Sequence, residues 1–142
     1  QLPEDDINFI ILTSYRLMYY LDADDKAKAV AACERLESLM EYVPEYYEKD
    51  IASDILFCEC SLKGDAALAE SMYPALATHL LREDTLASHR ILAAYELYVN
   101  GDKTAALSHV NEAQKKAETY QIPGLVKYEK KLLARIRGDI AR

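Results

Sequence analysis

An Asp followed four residues later by Ala, each time just past a break in the chain, occurs at Asp25/Ala29, Asp65/Ala69 and Asp102/Ala106. A further Asp, Asp139, falls where the next copy is due. The successive spacings are 40, 37 and 37 residues. A period in this range marks stacked helix pairs, because one pair cannot bury its apolar face alone and must lean on a neighbour. The 142 residues hold three such units and the start of a fourth, enough for one domain with a core of its own.

Composition agrees with helices throughout. Only four Gly and four Pro interrupt a chain that is 51% hydrophobic, and Ala, Leu, Glu and Lys are common helix formers. No apolar run approaches the roughly 20 residues that a membrane-spanning helix needs. No signal peptide is visible. The chain opens on Gln1 and reads as a segment of something longer.

Seven helices are predicted. The first runs from about Pro3 to Leu21, with an apolar stripe of Ile7, Ile11, Met18 and Leu21. Asp25 caps a second over about 26–42, facing inward with Ala29, Cys33, Leu36 and Met40. Pro44 starts a third with Ile51, Ile55, Cys58 and Leu62 inside. Gly64-Asp65 turns into a fourth over 66–82, which carries Ala69, Tyr73, Leu76 and Leu80 and should kink at Pro74. Asp84 or Thr85 caps the fifth (Leu86, Ala93, Ala94, Leu97), and Asn100-Gly101-Asp102 leads into the sixth (Ala106, Val110, Ala113, Ala117). After Ile122-Pro123-Gly124 comes the seventh, with Leu125, Tyr128, Leu132 and Ile136.

Small residues let paired helices approach closely, and Ala29, Ala69 and Ala106 take equivalent places. Bulkier Cys33, Tyr73 and Val110 follow four residues on, then Leu36, Leu76 and Ala113. This small-then-large rhythm and the Gly-Asp turns resemble tetratricopeptide repeats in degenerate form. The expected fold is all-α: about seven antiparallel helices in a tetratricopeptide-like, right-handed superhelix. Its pairs are 3–42, 45–82 and 84–120, with a final helix at 123–138. Another kind of helical stack is the alternative.

Nothing in the chain spells out a reaction. Cys58 and Cys60, two apart on a helix, diverge by about 200° and cannot share one metal ion. An odd count of three cysteines fits a reducing compartment. His79, His89 and His109 have no i,i+4 pairing, and are expected at a surface or a helix–helix edge. Asp22, Asp24 and Asp25 resemble the start of a calcium loop, but Lys26 and Ala27 stand where further ligands belong. There is neither a Gly-x-Ser-x-Gly turn nor a Gly-rich phosphate loop. No catalytic residue, metal set or cofactor is expected, and the chain reads as non-enzymatic.

Binding is the better expectation, to a protein or peptide. Solenoids of helix pairs expose an inner surface built from the first helix of each pair. On this register Met18, Asp54, Ile91, Tyr95, Tyr98, Tyr128 and Arg135 lie on or near it, with Tyr95 and Tyr98 as a peptide anchor. The alternative is that these rings fill gaps between helices. Residues 1–71 carry a net −10 and residues 72–142 a net +3, within an overall −7. That balance argues against nucleic acid as partner. The eight basic residues after 114 could meet anionic lipid, or simply form a solvated outer face.

Three segments carry a narrower resemblance: Leu56-Phe57-Cys58-Glu59-Cys60, the run from Tyr95 to Asp102, and Tyr120 through Leu133. In order and spacing they are similar to the soluble helical region that follows the embedded protease in bacterial site-2-protease-type zinc metallopeptidases. The resemblance implies a cytoplasmic accessory domain at the membrane's cytosolic face, tethered through a missing N-terminal part and recognising a partner or substrate. The zinc motif His-Glu-x-x-His is absent from this sequence, so the chemistry of such a parent lies elsewhere. A stand-alone adaptor and a basic-ended module on a membrane surface are the other readings.

Overall fold

Side-chain carboxylates set where the helices begin. In the computed structural model, which describes residues 6–120 and 123–142 with the side chains of 123–126 excepted, Asp25, Asp65 and Asp102 each cap a helix. Their carboxylates accept from the amides of Lys28 (3.1 Å), Leu68 (3.1 Å) and Ala105 (2.9 Å). Each such cap contributes about 1 kcal/mol by satisfying an exposed N–H. Seven α-helices result among the described residues, with no strand: α1 (Ile7–Asp22), α2 (Lys26–Leu39), α3 (Glu45–Cys58), α4 (Ala66–Glu83), α5 (Leu86–Tyr98), α6 (Lys103–Thr119) and α7 (Pro123–Ile140). The chain is all-α.

Gly64 and Gly101 take left-handed backbone angles, φ 68° and 66°, at the ends of the third and fifth helical units. The following amides fold back onto the carbonyls of Glu59 and Glu96. A side chain there would be strained by its own Cβ. Thr85 caps α5 in a reciprocal box with Ser88, while Asp84 ends α4 in the left-handed region. α4 runs unbroken through Pro74.

Ala29, Ala69 and Ala106 are all fully buried, as are Cys33, Leu36, Val110 and Ala113. The small residues therefore sit where neighbouring helices meet. α5 packs most extensively on α6 and α1 on α2, and α5 also touches α3, α4 and α7. Every side chain from Ser88 to Tyr95 is buried. A helix covered on all sides is the centre of its domain. α1 also meets α7, bringing the first and last helices together.

Several expectations change. α1 starts at Ile7, because extended Asp6 caps it by accepting from the Asn8 amide; Pro3 lies outside the described residues. The buried stripe of α1 is Ile10, Thr13, Leu17 and Leu21, with Ile7, Ile11 and Met18 half-buried beside it. Leu39 rather than Met40 fills the core, since α2 tightens into a 3₁₀ turn at Met40–Tyr42. α3 widens into a π turn at Glu59–Lys63, and Leu62 is only half-buried. Asp139 lies inside α7 and caps nothing; it accepts from the Tyr98 hydroxyl at 2.5 Å. Leu132 and Ile136 are buried as expected, whereas Ile122 and the Leu125 side chain lie outside the described residues.

Candidate functional site

The odd-numbered helices enclose a cleft of ≈ 450 Å3. α1 lines it with Ser14, Tyr15, Met18, Tyr19 and Asp22, one face of the helix at i, i+1, i+4, i+5 and i+8. α3 contributes Asp54, α5 contributes Ala87 and Arg90, and α7 contributes Tyr128 and Glu129. Tyr15 and Tyr19 are 67% and 68% exposed, so two aromatic rings stand at the rim. Most of the wall is apolar, which suits a partner that brings its own side chains.

The floor is charged. Arg90, 1% exposed, donates from Nε to Glu129 Oε2 (2.6 Å) and from Nη2 to Oε1 (3.2 Å). Its guanidinium also lies 4.3 Å from the centre of the Phe57 ring. Nη1 makes no hydrogen bond. Burial works against the Arg90 charge, but Glu129, with Tyr128 and Asp54, more than offsets this and holds it above its ordinary range. Asp54 accepts from the Ser14 hydroxyl at 3.1 Å. Burial pushes its carboxyl up to about 6, although Arg90 and Ser14 oppose the shift. Three carboxylates, Asp22, Asp54 and Glu129, face one cation, Arg90. The cleft therefore favours a positively charged group.

The residues expected on the inner surface divide. Met18, Asp54 and Tyr128 do line the cleft, and the Tyr128 hydroxyl donates to Met18 Sδ. Ile91 and Tyr95 are core residues instead. Tyr95 is 6% exposed and stacks on Tyr73, with ring centroids 3.8 Å apart and planes 8° off parallel. It has no surface left with which to anchor a peptide. Tyr98 is half-buried and ties α5 to the end of α7 through Asp139. Arg135 is exposed and pairs with Asp24, as Lys131 does at 3.1 Å, next to a smaller hollow of ≈ 340 Å3. Arg90, Glu129, Tyr15 and Tyr19 line the cleft as well and are not among the residues expected from the sequence. One signal was present: Arg90 interrupts an apolar row, and Glu129 follows one repeat length later.

The histidines are tied up. His89 Nε2 lies 2.6 Å from Asp84 Oδ1, and its Nδ1 lies 3.0 Å from Nδ1 of His109. Burial, helped by His89, holds His109 below its usual range. No nucleophile stands beside this chain of rings among the described contacts. His79 faces Asp50 (3.3 Å) and Glu83 (3.5 Å) at the surface. Two groups have ligand atoms close enough for a metal ion: Asp50, His79 and Glu83 outside, and Cys33, Glu37 and Glu59 inside.

Among the C-terminal cations, Lys115, Lys116, Lys131, Arg135, Arg137 and Arg142 all make ion pairs or hydrogen bonds within the chain. No helix among the described residues is long and apolar enough to cross a membrane. Comparison with models of protein families, with curated proteins and with solved structures finds no match to this chain.

Proposed function

We propose that this chain is a non-catalytic, tetratricopeptide-like interaction module that holds an extended protein segment in the cleft between α1, α3, α5 and α7. The observation that carries the reading is the cleft itself, which has exposed tyrosines at its rim and an excess of carboxylate at its floor. First helices of successive pairs forming one concave wall is how helix-pair solenoids bind partners. The bound segment carries a basic side chain for Asp54 and apolar neighbours for Met18, Tyr15 and Tyr128. The setting we propose is the one implied by the resemblance: the cytoplasmic accessory part of a membrane-embedded zinc protease. The three similar segments alone support that setting. A free adaptor is the simpler alternative, and sequence preceding Gln1 would separate the two.

Selection of displayed random peptides on the protein tests the cleft. Recovered peptides should be enriched in Lys or Arg beside apolar residues. Their binding should fall at least ~10-fold in Tyr15→Ala and Asp54→Asn, each removing more than about 1.4 kcal/mol. Tyr46→Ala, at an exposed position outside the cleft, should leave binding unchanged. Binding indifferent to the cleft variants would reject the proposal.

A further inference from the structure

Away from the cleft, the π turn at the end of α3 carries a carboxylate into the interior. Glu59 is 0% exposed, and neither of its oxygens makes a hydrogen bond. A buried carboxylate without hydrogen bonds is costly and needs a cation. The Lys63 ammonium, one turn on, lies 3.2 Å from Oε1 of Glu59 and 3.4 Å from Oε1 of Glu37. Buried Cys33, on α2, completes the group, its Sγ lying 3.7 Å from Glu37 Oε1. Cys33 Sγ and one oxygen from each glutamate all lie within 4.8 Å of one another.

We propose that Cys33, Glu37 and Glu59 form a binding site for a divalent transition-metal ion, with Zn2+ the best match. Ligand type and spacing both fit. Zinc takes thiolate at about 2.3 Å and carboxylate oxygen at about 2.0 Å in a tetrahedron, which places neighbouring ligand atoms roughly 3.5 Å apart. A thiolate with two carboxylates favours zinc over magnesium or calcium, which prefer oxygen alone. The fourth position goes to water, because Glu37 and Lys63 open to solvent with side chains 32% and 22% exposed. On binding, the Cys33 thiol gives its proton to solvent and the sulfur bonds to the metal. The two carboxylates bind as anions, and Lys63 moves outward. The three anionic ligands and the dication leave one negative charge, which Lys63 still balances. The ion would pin α2 to the end of α3 and raise stability through binding. This inference is independent of the cleft.

Titration of the full chain with Co2+ tests the site. A thiolate-to-cobalt charge-transfer band should grow to one ion per chain and be displaced by Zn2+. The surface group of Asp50, His79 and Glu83 contains no sulfur and cannot produce that band. Cys33→Ser should abolish it, and Glu37→Gln and Glu59→Gln should each weaken binding by at least ~10-fold. Lys63→Gln should tighten binding, since a competing cation is gone; a merely structural lysine would not do this. Glu37→Gln lies at the solvent edge and carries the test alone if the buried variants do not fold. Absence of the band in the wild-type chain, its survival in Cys33→Ser, or unchanged affinity in both Glu37→Gln and Lys63→Gln would each overturn the assignment.

Discussion

Arg90 and Glu129, 39 residues apart, meet as a two-pronged ion pair that ties the central helix α5 to α7 beneath the cleft. Removing one partner leaves the other charge buried. Glu129→Ala or Arg90→Ala is expected to cost about 3–5 kcal/mol, whereas the double change to Met at both positions should recover much of that loss. Urea unfolding of the two single variants and the double variant measures the coupling. Single losses under about 1 kcal/mol would mean that water reaches the pair.

Asp54 makes stability and binding respond to pH in opposite directions. Its folded pKa, about 6, stands above the ordinary carboxyl value of 3.8, so the folded state holds this proton more tightly than the unfolded chain. Stability is therefore greatest below about 4 and declines as pH rises through about 6. The groups acting on Asp54 are Arg90 of α5, Ser14 of α1, Glu129 of α7 and Asp50 of its own helix. Asp54→Asn should stabilise the protein at pH 7 by up to ~2 kcal/mol and flatten this part of the profile. A cationic peptide, by contrast, needs the ionised carboxylate, so its affinity should rise over the same interval. Unfolding and binding measured across that range check both signs.

The stacked pair Tyr73–Tyr95 fills the space between α4 and α5. Tyr95→Ala should cost ~3–5 kcal/mol, as truncations of large core aromatics do. Tyr95→Phe keeps the stacking and should cost far less. Circular dichroism through thermal unfolding distinguishes them. An unchanged melting temperature in Tyr95→Ala would restore this ring to the surface.

Two glycines should respond oppositely to the same substitution. Gly101 has φ 66° and open space where a Cβ would go, so only backbone strain opposes Gly101→Ala. The cost should be about 1 kcal/mol. Gly138 lies exposed within α7, also with open space around it. Gly138→Ala should stabilise by ~0.5–1 kcal/mol through helix propensity. Destabilisation of equal size at both positions would contradict the backbone angles.

Elements whose causes are local were the legible ones. The caps at Asp25, Asp65 and Asp102 bond amides three residues ahead, and Ala29, Ala69 and Ala106 follow at a fixed distance inside the same helix. Tyr95 lies in the core, not on an open face, for a physical reason. A repeat register assigns one open face to each first helix, but α5 is buried all round from Ser88 to Tyr95. The stripe of α1 was similarly displaced, since Met18 faces the cleft while Leu17 faces the core.

Sequence alone settled the helical class and, among the described residues, the seven helices and where most of them start, because those depend on contacts within about four residues. Tertiary structure decided which faces stay open and which charges meet. Tyr128 reaches Met18 across 110 residues, Arg90 finds Glu129 one repeat away, and the π turn sets Glu59 beside Cys33. Such meetings depend on how whole helices are rotated and stacked, and no periodicity within a single helix records that.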